Sequence, residues 1–403
     1  MASNPRAMGR RPPSAGMKLS WSDPTLRAIV YQVVIVGLVA AGIYYLVYNT
    51  MVNLDRRKIA SGFGFLAREA GLPIGDSPFI DYAPTRSYFT ALMVGVLNTL
   101  RVAVLGIILA TILGTTIGIA RLSKNWLLAK MALVYVEVMR NLPLLLQLFF
   151  WWALFLAFLP EAVPGEAPPN LFGLYFMTKS GLLYPSLIWH DSYWAAVAGL
   201  ALGILAAVGI SRWATERQAR TGQIFPTFSV GLGVILGLPL LANALFGAPF
   251  EFDLPVAGRF RMTGGAVVSP ELAALLIGLT TYTAAFIAEI VRSGIQAVAG
   301  GQWEAAGALG LPRARVLRLV VLPQALRVII PPMTSQYLNV TKNSSLAVAI
   351  GYQEIVSIAN TIMNQTGQAI EGVAIIMAVY LTISLSISLF MNWYNKRIAL
   401  VER

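Results

Sequence analysis

Three features of the 403-residue sequence predict an all-α polytopic membrane protein of about eight transmembrane helices. Hydrophobic residues make up 57% of the chain and charged residues 12%, about half of the roughly 25% charge that coats a soluble domain. Mean hydropathy is +0.68. Uncharged runs at 28–48, 192–210, 224–250 and 372–394 each approach or exceed the ~20 residues that a membrane-crossing helix needs.

The spans are expected at 28–48, 88–120, 128–158, 192–211, 224–248, 270–296, 322–350 and 372–394. Around them the chain divides into a disordered basic tail (1–27), an N-terminal span with its outer segment (28–87), and a first core part (88–158). An insertion with two further spans (159–258), a second core part (259–397) and a short tail (398–403) follow. With both termini placed in the cytoplasm, the inner segments hold 19 of the 30 Lys and Arg residues, and the outer ones hold 12 of the 18 acids. That bias is the topology signal of basic loops retained inside. The net charge of +12 therefore reads as topology rather than as a nucleic-acid surface. Arg56, Arg57 and Lys58 break the pattern locally. The uncharged spans 192–211 and 224–248 read as lipid-facing scaffold, and the 49–87 segment as one lying on the membrane surface.

Zero cysteines exclude disulfides and thiolate chemistry, and a lone histidine, His190, excludes a His-rich metal site. No Gly-x-x-x-x-Gly-Lys-(Ser/Thr) loop is present, so ATP cannot be held in the phosphate-loop manner. No catalytic residues and no metal site are expected.

One inner loop, 297–325, departs from ordinary connecting sequence. Gly301-Gln-Trp-Glu304-Ala305-Ala306-Gly307-Ala308-Leu309-Gly310-Leu311-Pro312 predicts a short helix over 303–311. Glu304 is expected in its first turn, at the positive end of the dipole, and Gly310 and Pro312 stop it. So short a helix is marginal alone and must dock on something. Its small side chains allow another backbone to approach closely.

That loop resembles the EAA loop of bacterial ABC-importer permeases: Glu-Ala-Ala, then a Gly four residues after the second Ala, then Leu322-Pro323. Arg140-Asn-Leu-Pro143-Leu-Leu-Leu-Gln147-Leu-Phe resembles the Arg-Gly-Thr-Pro-Leu-Leu-Val-Gln-Leu-Phe signature of the polar amino acid permeases. Tyr282 to Ile295 resembles their Ala-Tyr-x-x-Glu-x-x-Arg-Gly-Gly-Ile segment, and Lys342-Asn343-Ser344-Ser345-Leu346 their Lys-Asn-(Thr/Ser)-Ser-Leu. Asn141-Leu142 in place of Gly-Thr, and Ser293 in place of a Gly, depart from the pattern. The likeness covers about 88–158 and 270–397. The extended layout resembles the larger permease of general L-amino acid and glutamate/glutamine importers of alphaproteobacteria.

The resemblance implies a type I permease core in a bacterial inner membrane. It implies Glu304, Ala305, Ala306, Gly310 and Leu311 seated in a separate cytoplasmic ATPase dimer that uses ATP and Mg. It also implies a second homologous permease, a periplasmic amino-acid-binding protein and an L-amino acid substrate; no cofactor is expected on this chain.

Intramembrane ionisable groups are functional candidates by default. Glu137 with Arg140, and Glu289 with Arg292, stand at i, i+3, where each pair can neutralise itself; they read as gate residues or as structural ion pairs. Arg101 stands alone mid-span near Asn98. Lys342 lies beside Asn339, Asn343 and Ser344; with Tyr282, Arg101 and Asn98 these seven are the substrate-path candidates, with helix–helix hydrogen bonding as the alternative. Pro331-Pro332 is expected to bend or break its span. An ion-coupled transporter working alone would also use intramembrane charges and a broken span. A membrane-embedded enzyme lacks the residues it would need.

Overall fold

Each long apolar run is helical. The computed structural model describes residues 24–57, 61–161, 168–247, 251–257 and 262–398, so the expected tails lie largely outside the described residues. The first helix, α1 (Pro24–Arg57), is 34 residues long, and none of its apolar stretch is buried. From residue 61 onward the chain packs against the bundle. A 3-10 turn at Phe63–Ala67 carries Phe65 into a core with Ala70, Leu72, Tyr88 and Ile358. Ser87 then caps α2 (Tyr88–Ala120), its hydroxyl accepting the Thr90 N–H.

The expected third span, 128–158, is two helices. α3 (Trp126–Asn141) and α4 (Leu144–Phe158) meet at a bend of 104°. The cause is local: Leu142 is extended, as a residue before proline prefers, and Pro143 has no N–H to continue the ladder. Gln147 repairs the break. Its amide donates to the Met139 carbonyl at 3.0 Å and the Leu142 carbonyl at 3.1 Å, two acceptors orphaned at the end of α3.

The insertion adds strands to the predicted helices. β1 (Asn170–Leu171), β2 (Tyr175–Thr178), β3 (Gly181–Tyr184) and β4 (Ser186–Leu187) precede α5 (Tyr193–Thr221) and α6 (Thr227–Leu245). β5 (Phe252–Asp253), β6 (Val256–Ala257), β7 (Met262–Thr263) and β8 (Ala266–Val268) follow them. β3 pairs antiparallel with β8, and β4 with β5 through Leu187↔Phe252. The two ends of the insertion are thus stitched together beneath a helical hairpin. α5 and α6 pack on each other: a Cβ on Gly199 or Gly203 would come within 2.9–3.0 Å of the α6 backbone at Leu238 and Ile235.

Ser269 caps α7 (Pro270–Gln296), and α8 (Gly300–Ala308) follows. Then come α9 (Arg313–Val316), a π-helical turn at Leu317–Val321 and α10 (Leu322–Asn343). A 3-10 turn at Ser344–Ile350 leads to α11 (Ile355–Thr366) and α12 (Ala369–Ile398). The break expected at Pro331-Pro332 is absent, since α10 runs through both. Both prolines are exposed. The irregular turn lies earlier, at Leu317–Val321.

The core is the contact of α2 with α7. Along α2, Val102, Gly106, Ala110, Gly114 and Gly118 recur every four residues, all buried. A Cβ on Gly114 would lie 2.6 Å from the Ile287 Cβ, and one on Gly118 2.7 Å from the Ala288 carbonyl. Such small residues bring two backbones together where no solvent drives packing. α3, α4 and α10 pack around α7, with Val136 against Ala285 and Ala288 and Ile329 and Met333 around Val291.

Candidate functional site

The loop after α7 is half anchored and half presented. α8 starts at Gly300, so Glu304 falls in its second turn rather than its first, and the helix ends at Ala308 rather than 311. Trp303, buried Ala306 and Leu311 pack into the core with Val298, Val316 and Val321. Glu304, Ala305 and Ala308 are exposed on the other face. Gly310 adopts φ +74°, a left-handed turn that glycine takes without cost, and its N–H closes on the Gly307 carbonyl. Of the five residues expected at the partner surface, Glu304 and Ala305 face outward and Gly310 makes the turn. Ala306 and Leu311 anchor the loop. A crevice of about 610 Å³ lies beside it, between Trp303, Lys124, Arg313 and Arg318.

The two Glu-x-x-Arg pairs differ. Glu289 accepts from Arg292 at 3.3 Å from Nε, with a second, shorter bond from Nη2, and from Arg121 at the end of α2. Arg121 went unnoticed in the sequence because it lies 168 residues away. Glu137 and Arg140 form no ion pair with each other. Arg140 instead places its guanidinium 5.2 Å from the centre of the Phe286 ring, which in turn packs against Tyr282 at 5.0 Å. A cation over an aromatic face replaces the expected carboxylate partner.

Arg101 does not stand alone. Its Nη1 reaches both carboxylate oxygens of Asp76 at 3.0 and 2.9 Å. Asn98, fully buried, donates to the carbonyls of Asp76 and Gln353, and Gln353 accepts from the Gly75 N–H and donates to the Pro73 carbonyl. Asn98 and Arg101 thus clasp the 73–76 segment to the end of the bundle opposite α8. Beside the clasp, fully buried Glu354 caps α11, accepting the N–H groups of Val356 and Ser357, and receives the Tyr380 hydroxyl at 3.1 Å. Burial pushes its carboxyl above the ordinary value of 4.5 against the pull of those hydrogen bonds.

The remaining path candidates separate by exposure. Ser344 is fully buried and donates to the Thr341 carbonyl. Asn339 and Lys342 are exposed, Asn343 half-buried. With Pro332 and with Ser335, which carries no signal in the sequence, Asn339 and Lys342 form one exposed stripe at i, i+3, i+7 and i+10, a single helix face. The opposite face, Ile329, Ile330, Met333 and Val340, is buried. Among the described residues, no cluster of His, Cys, Asp or Glu can hold a metal ion.

A polytopic helical protein with one broken span, a polar helix face and a docked loop presenting Glu-Ala defines a membrane-embedded conduit that takes an outside partner. The family described as "Binding-protein-dependent transport system inner membrane component" matches residues 103–400. The chain belongs to that family. It is 52% identical over 381 residues, 94% of both chains, to the general L-amino acid transport system permease protein AapQ of Rhizobium johnstonii. It is 50% identical to the putative amino-acid ABC transporter permease protein YhdX of Escherichia coli, over 98% of this chain and 100% of the other. It is also 43% identical to the glutamate/glutamine/aspartate/asparagine transport system permease protein BztB of Rhodobacter capsulatus, over 98% and 100%.

Proposed function

We propose that the chain is the permease subunit of an ATP-driven, binding-protein-dependent importer of L-amino acids, working beside a second permease and a separate ATPase dimer. The observation that carries this is α8: a nine-residue helix fixed to the core by Trp303 and Ala306, with Glu304 and Ala305 facing outward. In a family that depends on a binding protein, such a helix is the point where a partner's motion enters the bundle. The α8 end is then cytoplasmic, with both termini on that side, and the Asp76–Arg101 clasp faces the binding protein. ATP and Mg act on the partner ATPase. Family membership removes the ground for an ion-coupled transporter working alone.

Within the membrane, the stripe of Ser335, Asn339 and Lys342, with Asn343 at its edge, borders the route. Facing hydrocarbon, a lysine and an asparagine on one helix are expensive; facing a wet path or a sister subunit, they are not. Lys342 supplies the cation for a substrate carboxylate, and Asn339 a weak, releasable hydrogen bond. Glu289 with its two arginines, and Arg140 over Phe286, are the gate candidates at the opposite end of the path.

Glu304→Arg is expected to abolish ATP-dependent amino acid uptake and co-purification of the ATPase while the chain remains inserted. Normal uptake by that variant would overturn the coupling role. Lys342→Gln is expected to lower uptake while leaving the ATPase bound, which separates the path from the coupling helix.

A further inference from the structure

Where α2, α3 and α7 converge at the α8 end, a crevice of about 270 Å³ opens outside the Glu289 ion pair. Three elements each bring a cation to it: Arg121 just past α2, Lys130 in the second turn of α3, and Arg292 in the last turns of α7. No carboxylate lines it. Glu289 behind it binds Arg121 and Arg292, so three positive charges stand against one negative, and among the described residues Lys130 has no ion pair. The α3 helix end does not account for the site, because Asn125 already accepts the N–H groups of Leu127 and Leu128. What remains is side-chain charge from three elements, with Trp126 and Leu133 flanking Lys130 on the same face of α3 and Trp126 74% exposed.

A ligand matching both the cations and the apolar side chains beside them carries a phosphate and a hydrocarbon chain. Basic pockets between helix ends on the cytoplasmic side accept anionic headgroups, and tryptophan favours the headgroup level. We propose that this crevice binds the phosphate of an anionic phospholipid of the inner leaflet, with Lys130 as its dedicated cation and Trp126 and Leu133 along its acyl chain. The choice of leaflet rests on the functional reading above; the composition of the crevice does not. The bound phosphate shares Arg121 and Arg292 with Glu289, only a few residues before Gly300 opens α8, so the lipid acts on the segment that carries the coupling helix.

The test uses the full chain, extracted in mild detergent from vesicles of phosphatidylcholine mixed with phosphatidylglycerol, with retained lipid read by native mass spectrometry. Wild type is expected to keep phosphatidylglycerol. Lys130→Gln is expected to lose it about fivefold, and Lys130→Arg to keep it. Lys124→Gln, an exposed cation nearby that does not line this crevice, is expected to leave retention unchanged. Equal retention by wild type and Lys130→Gln overturns the proposal, as does equal loss in Lys124→Gln, which would mark diffuse surface charge. Displacement of the lipid by inorganic phosphate alone would assign the site to a free anion and overturn the lipid. The readout needs neither transport nor ATPase, so failure here is distinct from failure of the importer reading, which the Glu304→Arg uptake assay reports.

Discussion

Asp76 and Arg101 are a pair of largely shielded charges, with side chains 16% and 13% exposed. Removing either leaves the other shielded without a partner, at a cost of about 3 kcal/mol. Asp76→Ala and Arg101→Ala are each expected to loosen the 61–87 segment, with the double variant little worse than either single one; limited proteolysis and thermal unfolding check this. Glu354 makes a prediction in pH. Its folded carboxyl holds a proton more tightly than the unfolded one, so the stability it contributes is full below the ordinary value of 4.5. That stability is lost as pH rises through the raised folded value. Glu354→Gln keeps a cap oxygen for Val356 and Ser357 and has no proton to lose. The variant is expected to flatten the decline in thermal stability as pH rises above the ordinary carboxyl value of 4.5, measured by unfolding scans of the purified chain. These residues also mark where sequence reading stops. Arg101 was legible as an intramembrane cation, but its partner lies 25 residues upstream in a segment without periodicity. Glu289 was legible with Arg292 because helix spacing pairs them; Arg121, on another helix, leaves no local signal.

Among the elements, the α3–α4 bend and the α2–α7 contact carry the most weight. Pro143 announced the bend in the sequence, yet hydropathy averaged over 128–158 concealed it, because both helices are apolar. Gln147, recognised within a family signature, owes its place to two orphaned carbonyls. Gln147→Leu is expected to strand both in a buried site and to cost about 2 kcal/mol, visible as a lower unfolding temperature with the chain still inserted. Gly118→Val, placing a side chain against the Ala288 carbonyl, is expected to cost at least about 1–3 kcal/mol through overpacking. The same change at Gly209, which meets nothing, is the control. The EAA-like loop was legible because its signal is local: small residues, a left-handed Gly310 and a proline stop. The strands of the insertion were not, since runs of two to four residues are too short to establish an alternating pattern.

For the whole molecule, α1 and the α5–α6 hairpin stand apart from a core made of α2, α3, α4, α7 and α10 to α12. Leu187 and Phe252 are register partners, so a two-residue Asn-Gly turn can replace 188–251. The shortened chain is expected to insert and unfold like the parent, checked by thermal scans in detergent. Because the chain has no cysteine, topology can be read with single introduced thiols. Leu309→Cys is expected to label only from the cytoplasmic side and Phe172→Cys only from the outside; both are exposed, at 79% and 84%.

The glycine stripe of α2 has a kinematic consequence. Two helices whose backbones touch at Gly114 and Gly118 have no side-chain layer in which to slide, and Arg121 bolts their ends together through Glu289. They form one crank. On the coupling role proposed above, a push delivered at α8 moves this pair as one body, and the stroke falls to the π-helical turn before α10 and to the bend at Pro143.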